Sequence, residues 1–143
     1  MCIRDSIGAK LVEHGEGTAV YEMPVATKVA NPMGAVQGGI VTSMADAAMA
    51  VASVSVLTDE EFLTTSVTTC DIFARFMGPV PVGRYETLRA EASVVRAGRT
   101  LIWTECDVLA DGKLVARFTG TGVKVAFKAT QYTETTGKPT TRL

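Results

Sequence analysis

The sequence predicts an α+β domain in which a curved antiparallel sheet wraps one long central helix. The first observation is an apolar run at residues 40–57, long enough for a single helix, which is preceded by the glycine pair Gly38 and Gly39. The second is the rest of the chain, because residues 64–127 divide into β-forming segments separated by short turns rich in Gly and Pro. The third is the length, since 143 residues suit one domain, here with about five to six strands.

The composition is that of a folded domain without a broad charged surface. A hydrophobic share of 47% is enough for a core, and a net charge of -1 leaves no basic field for nucleic acid. The sequence has three cysteines, Cys2, Cys70 and Cys106, which is an odd number, and none of them forms a CxxC motif. We expect no signal peptide ahead of them. These features indicate reduced thiols in a cytoplasmic protein, with no metal site.

Two strands are predicted before the helix. Residues 7–13 fit the first, and residues 18–25 alternate apolar and polar side chains after a turn at Glu16-Gly17. Residues 31–34 read Asn-Pro-Met-Gly, which is typical of a loop. The glycine pair therefore lies at or just before the first turn of the helix.

The helix is apolar on all sides and rich in Ala, Met and Val, so we expect other structure to enclose it. Polar residues interrupt the run and no Lys or Arg flanks it, which argues against a membrane span. Its one charge is Asp46, the only charged residue between Lys28 and Asp59. Because a carboxylate removed from water is costly unless it is hydrogen-bonded, this position indicates function. The structural alternative is an interior Asp that caps a loop or bonds a Ser of the helix.

Four strands are predicted after the helix, at residues 64–77, 84–97, 100–110 and 113–127. Asp111-Gly112 is a two-residue hairpin signal. The other connections are also short, so we expect the four strands to form one consecutive antiparallel meander.

The domain is predicted to span residues 7–127. Residues 1–6 resemble a translated adaptor sequence, so we expect them to be foreign to the protein or disordered. Residues 128–143 are rich in Thr and Lys with little to bury, which predicts a mobile polar tail.

One segment carries a family resemblance. From Asn31 to Asp46 it reads Asn-Pro-Met-Gly-Ala-Val-Gln-Gly-Gly-Ile-Val-Thr-Ser-Met-Ala-Asp, and it resembles the signature of the hotdog-fold acyl-CoA thioesterases of the phenylacetate-degradation type, related to 4-hydroxybenzoyl-CoA thioesterases. Residues 76–80 and 112–116 also match family segments, so the similarity covers residues 8–126. Two features depart from the family. Gln37 stands where many members have His, which excludes a titrating imidazole there. Only residues 1–6 precede the first strand, where members usually have a short helix.

The resemblance implies a role for each residue of the motif. Asp46 is the catalytic carboxylate, as nucleophile on the thioester carbonyl or as general base for water. Gly38 and Gly39 present unpaired amides to the carbonyl oxygen, with Gly38 as the oxyanion donor. A glycine pair can also serve only to allow a tight turn. Thr69, or its neighbour Thr68, stands where members place a hydroxyl that positions water, although Thr is also an ordinary strand residue.

Five further residues are candidates for support or for substrate binding. Asn31 is a candidate to support the oxyanion site, or it only forms the turn. Gln37 is a candidate to touch the thioester, or it only holds the loop. CoA phosphates require cations, and the candidates to bind them are Arg75, Arg96 and Arg99. The alternative for each is an ordinary solvated arginine at the surface.

The spacing of the motif adds a geometric requirement. Gly38 and Asp46 are eight residues apart on one helix, so at a rise of ~1.5 Å per residue their backbones lie roughly 12 Å apart along its axis. One thioester carbonyl must lie within about 3 Å of both the donor and the attacking group. We therefore expect a two-fold dimer that brings Gly38 of one subunit to Asp46 of the other. The resemblance likewise implies dimers or tetramers with shared sites.

The sequence thus predicts a thioesterase that hydrolyses an acyl-CoA or aryl-CoA, needs no cofactor, and assembles as a homodimer or a homotetramer. Met and Val residues beside the helix suit an aryl or a medium acyl chain. The alternative is a non-catalytic domain that binds or senses acyl-CoA, and a dehydratase or hydratase is disfavoured by the missing histidine. His14 is expected at the surface, and Phe73 and Trp103 are expected in the core.

Overall fold

In a computed structural model, which describes residues 3–126, one sheet wraps one long helix. The helices are α1 (Ile3–Ile7), α2 (Gly38–Ser55) and α3 (Asp59–Thr64), and a 3₁₀ turn spans Thr27–Val29. The strands are β1 (Lys10–Gly15), β2 (Thr18–Pro24), β3 (Thr65–Phe76), β4 (Thr87–Ala97), β5 (Leu101–Ala110) and β6 (Lys113–Ala126).

The six strands form a single antiparallel sheet in the order β1-β2-β4-β5-β6-β3. Helix α2 lies against the concave face of this sheet and contacts every strand. Its buried side chains include Val41, Met44, Ala45, Ala48 and Ala52. This is the hotdog arrangement, so the predicted α+β class and the hotdog fold are confirmed.

The predicted four-strand meander is wrong in one respect. Strands β4, β5 and β6 are consecutive neighbours, but β3 pairs with β6 and not with β4. The segment after β3 does not form a hairpin with β4. It instead forms backbone hydrogen bonds with the loop that precedes α2. There Val36 donates its amide hydrogen to the Val80 carbonyl at 2.9 Å, and Val82 donates to the Gly34 carbonyl at 2.9 Å. Turn chemistry shows that a strand ends, but it does not show which strand becomes its partner.

The predicted hairpin at Asp111-Gly112 is confirmed. Both residues have positive φ angles, 45° and 82°, as a type I′ turn requires. The Asp111 carboxylate accepts the amide hydrogens of Glu86 and Thr87 at 2.9 and 3.0 Å, which ties the hairpin to the start of β4.

The ends of the domain differ from the prediction. The first strand begins at Lys10 and not at residue 7, because Ile7 is the last residue of α1. Residues 3–6 are therefore helical, and their foreign origin stays a prediction. The predicted tail at residues 128–143 and residue 127 lie outside the described residues.

Helix α2 is not enclosed on all sides, which corrects the expectation from its composition. One stripe of small residues remains half-buried or exposed, and we call it the open stripe: Gly39, Thr42, Ser43, Asp46, Ala47 and Ala50. Helix α2 is long and apolar enough to cross a membrane, but the core helix of a globular protein has the same length and composition. Its opposite face is buried against the sheet.

Candidate active site

Asp46 lies on the open stripe and is held by a strand of the sheet. Its Oδ1 atom accepts a hydrogen bond of 2.8 Å from the Thr69 hydroxyl on β3. No other group of residues 3–126 donates to the carboxylate. The half-buried carboxylate is thus fixed at one oxygen, and the second oxygen is available to a reacting group.

The space beside Asp46 is small within one chain. A cavity of about 10 Å³ lies between the helix and strands β3, β5 and β6, with Met49, Val67, Thr69 and Gly120 in its wall. This is barely room for one water molecule. A substrate must therefore reach Asp46 from the side of the open stripe.

Gly38 is the first residue of α2, and its amide group is free. Helix entry is secured by the Gln37 carbonyl, which accepts the amide hydrogens of Ile40 and Val41 at 2.9 and 3.2 Å. Within the described chain, neither Gly38 nor Gly39 donates its amide hydrogen to any group. Two free N–H groups at the positive end of an 18-residue helix favour a carbonyl oxygen that gains negative charge.

A second cavity opens beside Gly38. Its volume is about 360 Å³, and its walls are largely apolar: Val36, Val41, Phe76, Met77, Val80, Val115 and Ala116. It shares no wall residue with the cavity at Asp46. The structure therefore does not bring Gly38 and Asp46 together within one chain, as the helical spacing predicts.

Asn31 shapes the loop before the helix and also reaches the Gly38 cavity. Its Oδ1 atom accepts amide hydrogens from Met33 at 2.9 Å and from Ala35 at 3.2 Å. This accounts for Asn as a turn former. Its side-chain NH₂ group makes no hydrogen bond to the described residues, so it remains available at the wall of the cavity.

The exposed Gln37 side chain makes no capping bond to the helix, and its backbone supplies the contacts that order this entry. Gln37 donates its backbone amide hydrogen to the Val29 carbonyl at 2.9 Å. The predicted contact of this side chain with a thioester therefore stays a prediction.

The three arginines predicted for CoA do not lie on the concave face. The guanidinium of Arg75 stacks over Phe73, and that of Arg96 stacks over Trp103, both on the convex side of the sheet. Arg99 is exposed in the turn between β4 and β5. In one chain, the structure separates all three from Asp46 and Gly38, and their contact with CoA stays a prediction.

Two β-bulges explain these positions. Strand β3 shifts register between Thr69 and Asp71, so Phe76 shares the concave face with Thr69 although their separation is odd. Arg75 is consequently turned to the convex face. A second shift, between Val94 and Arg96, lies in β4.

The expectation of a buried Phe73 and Trp103 is wrong. Phe73 is 62% exposed and Trp103 is 37% exposed. His14 is exposed, as expected.

Cysteine chemistry is not favoured at this site. Burial raises the pKa of the Cys106 thiol to about 12, so it stays protonated and unreactive at neutral pH. Cys70 is exposed at the bulge of β3. A larger cavity than these two, of about 710 Å³, lies at the C-terminal end of α2, and none of the predicted site residues lines it.

The sheet order, the wrapped helix, and the placement of Gly38 at the start of this helix and Asp46 in its middle are those of a hotdog-fold thioesterase. Residues 33–116, more than half of the chain, match the sequence model of the thioesterase superfamily. The chain therefore belongs to the thioesterase superfamily, and hydrolysis of a thioester is its general activity.

Solved structures with the same fold support this assignment. A conserved protein from Pseudomonas aeruginosa is 26% identical, with a TM-score of 0.78 over 87% of this chain and 94% of that one. The PaaI protein from the phenylacetic acid degradation operon of Escherichia coli is 25% identical, with a TM-score of 0.76 over 86% and 83%. A thioesterase from Haemophilus influenzae, at 22% identity and a TM-score of 0.77 over 87% and 82%, shows the fold alone. No curated protein matches the sequence.

Proposed function

We propose that the protein hydrolyses an acyl-CoA or aryl-CoA thioester to the free acid and CoA, at a site shared by two copies of the chain. The observation that carries the proposal is Asp46, held by Thr69 on the open stripe of the helix whose first residue, Gly38, has a free amide. The similarity to PaaI from a phenylacetic acid degradation operon favours an aryl or related acyl group.

The reaction uses these two groups at opposite sides of the carbonyl. The thioester oxygen accepts a hydrogen bond from the Gly38 amide, which stabilises the negative charge that forms there. Asp46 either attacks the carbonyl carbon and forms an anhydride that water then cleaves, or removes a proton from the attacking water. The carbon–sulfur bond breaks in both routes, and the CoA thiolate leaves and takes up a proton. Thr69 keeps the Asp46 carboxylate turned toward this point.

The open stripe supports the shared site because it suits the close approach of a second helix. Its side chains are small, and Thr42 and Ser43 donate their hydroxyl hydrogens back to the carbonyls of Gly38 and Gly39, both at 2.9 Å. Their polar hydrogens are thus satisfied within the helix, and the stripe offers mainly methyl groups and backbone to a neighbour.

Strand β3 supports the same assembly. It is a 12-residue edge strand, and its outer edge pairs with nothing in the described chain. Phe73 and Phe76 leave large apolar surfaces exposed on it. Such an edge is a template for pairing with another chain.

One two-fold axis satisfies both surfaces. Thr69 contacts Asp46, and Phe76 lies against Gly38. The midpoint between the two helix positions is Thr42, and the midpoint between the two strand positions is near Ile72. An axis through this level would pair β3 with its copy and place each Gly38 beside the partner's Asp46. A tetramer made of two such dimers would keep the two shared sites of each dimer.

The remaining assignments follow from the same proposal. Free thiols at Cys70 and Cys106 fit a reducing cytoplasmic compartment. Arg75, Arg96 and Arg99 remain the candidates for CoA phosphates, from the convex face and the β4–β5 turn.

Replacing Asp46 by Asn tests the function. The change keeps the shape and the Thr69 contact but removes the charge, so kcat should fall by about 10²–10⁴. Asp71→Asn is the matched control, because Asp71 is an exposed carboxylate on β3, the strand that carries Thr69. Thiol release from a panel of acyl-CoAs measures turnover, and titration with a non-hydrolysable CoA thioether measures binding.

Two results would contradict the proposal. An Asp46→Asn protein that turns over as fast as the wild type removes the catalytic role of Asp46. A wild type that binds acyl-CoA but releases no thiol from any of them supports the acyl-CoA-sensing alternative.

A further inference from the structure

We infer that Phe76 sets which acyl groups the enzyme accepts, as the wall of the cavity that opens on the Gly38 amide. This inference rests on the proposed function, because it concerns the acyl group of the thioester. Among the residues that line this cavity Phe76 is the one with an aromatic ring, and its ring atoms are the nearest to the position that a Cβ of Gly38 would take.

The ring spans the gap between strand and helix. A Cβ atom built on Gly38 would lie 3.3 Å from Cζ of Phe76, 3.6 Å from Cε1 and 3.8 Å from Cε2. All three atoms belong to the far end of the ring. The side chain therefore reaches from β3 to the first residue of α2 and forms part of the cavity wall.

The ring is supported from behind. It packs edge to face against Phe118, with ring centroids 5.8 Å apart and an interplanar angle of 86°. Phe118 is fully buried, whereas Phe76 is 51% exposed. A buried aromatic thus supports the Phe76 ring where it lines the cavity beside Gly38.

The cavity behind this wall is of limited size. Its volume of about 360 Å³ is near the lower end of ligand pockets, and its other walls include Val41, Val80 and Ala116. A thioester carbonyl bound to Gly38 would place its acyl group here, with the Asn31 amide also at the cavity. The space suits an aromatic ring or a chain of several carbons, and we expect Phe76 to limit the length of the chain that fits.

Two substitutions test this role. In Phe76→Ala the barrier is removed, so kcat/KM for palmitoyl-CoA relative to phenylacetyl-CoA should rise by about tenfold or more. In Phe76→Leu most of the side-chain volume is retained, so the same ratio should rise less. The Leu variant also protects against the case in which the Ala variant fails to fold, which the thermal midpoint of each protein reports.

Phe73→Ala is the matched control. Phe73 is on the same strand, has the same side chain and is 62% exposed, but it lies on the convex face. Any effect of Phe73→Ala on the dimer or on Arg75 acts on both CoA thioesters alike, so its ratio of palmitoyl-CoA to phenylacetyl-CoA hydrolysis should equal that of the wild type.

The outcomes separate this inference from the proposed function. If the wild type hydrolyses no acyl-CoA, the proposed function fails. If the wild type is active but both Phe76 variants slow all substrates equally, or keep the wild-type ratio, the role of Phe76 in acyl selection is refuted.

Discussion

Replacing Gly38 by Ala, in comparison with the same change at Gly39, probes the free helix amides. The two glycines are adjacent, and neither has a positive φ angle, so Ala fits the backbone at both positions. Their surroundings differ. A Cβ on Gly38 would lie 3.3 Å from Phe76, whereas a Cβ on Gly39 would have nothing within 4 Å.

We expect both substitutions to change the stability only slightly, and in the same direction. Ala exceeds Gly in helix propensity by up to about 1 kcal/mol, and by less in the first turn. Both variants should therefore fold, with thermal midpoints at or slightly above that of the wild type. The tight contact with Phe76 in Gly38→Ala offsets part of this gain.

The expected effect on catalysis is large at one position only. In Gly38→Ala a methyl group lies 3.3 Å from Phe76 in the cavity beside the free amide, and we expect it to obstruct the carbonyl oxygen that binds there. Loss of one oxyanion donor reduces kcat by about 10²–10³, which corresponds to about 2.7–4 kcal/mol. A Cβ on Gly39 meets no neighbour within its own chain, so Gly39→Ala should lose much less activity than Gly38→Ala.

The assay is release of free thiol from a short acyl-CoA, with circular dichroism melting of each variant. A Gly38→Ala protein as active as the wild type would remove the Gly38 amide from the oxyanion site. Equal losses of activity in both variants would show that the contact with Phe76 does not distinguish the two glycines.

Three further changes have defined outcomes. Asn31→Asp keeps both loop hydrogen bonds but loses the free NH₂ group, so kcat/KM should fall by about tenfold with an unchanged melting point. A lower melting point with full activity would show that Asn31 serves only to form the loop. Gly122→Ala places a Cβ 2.6 Å from Val67, so chemical denaturation should show a loss of about 1–3 kcal/mol, which Val67→Ala should partly restore. The Lys124 ion pair lowers the pKa of Glu61 below its ordinary 4.5, so this pair stabilises the fold above pH 4.5 and is lost as the pH falls through the lowered value. Melting curves of Glu61→Gln should therefore lie below those of the wild type at pH 7 and merge with them in acid; a constant difference would contradict the pair.

Local signals in the sequence predicted the elements well. The glycine pair, the apolar run and the Asp-Gly turn have physical causes that act within a few residues, so α2 and the β5–β6 hairpin lie where expected. Helix α3 was not predicted, although Thr58 and Glu61 form a capping box that marks its start. The signal was present in the sequence.

Long-range pairing was the part that the sequence did not reveal. Nothing in the composition of β3 shows that it pairs with β6, because that choice depends on how the whole sheet curves around α2. The side-chain parity of β3 also misleads, since the bulge after Thr69 reverses it and turns Arg75 away from the helix. Thr69 lies before the bulge, and the family resemblance singled it out as a site hydroxyl, whereas its hydrogen bond to Asp46 is seen only in the structure.

A mixed dimer tests the shared site most directly. Chains carrying Asp46→Asn and chains carrying Gly38→Ala are co-expressed with different affinity tags, and the dimer that contains one of each is purified. If Asp46 and Gly38 of different subunits act together, one of its two sites is intact, and the mixed dimer should recover about half of the wild-type activity. A mixed dimer no more active than either variant alone would contradict the shared site.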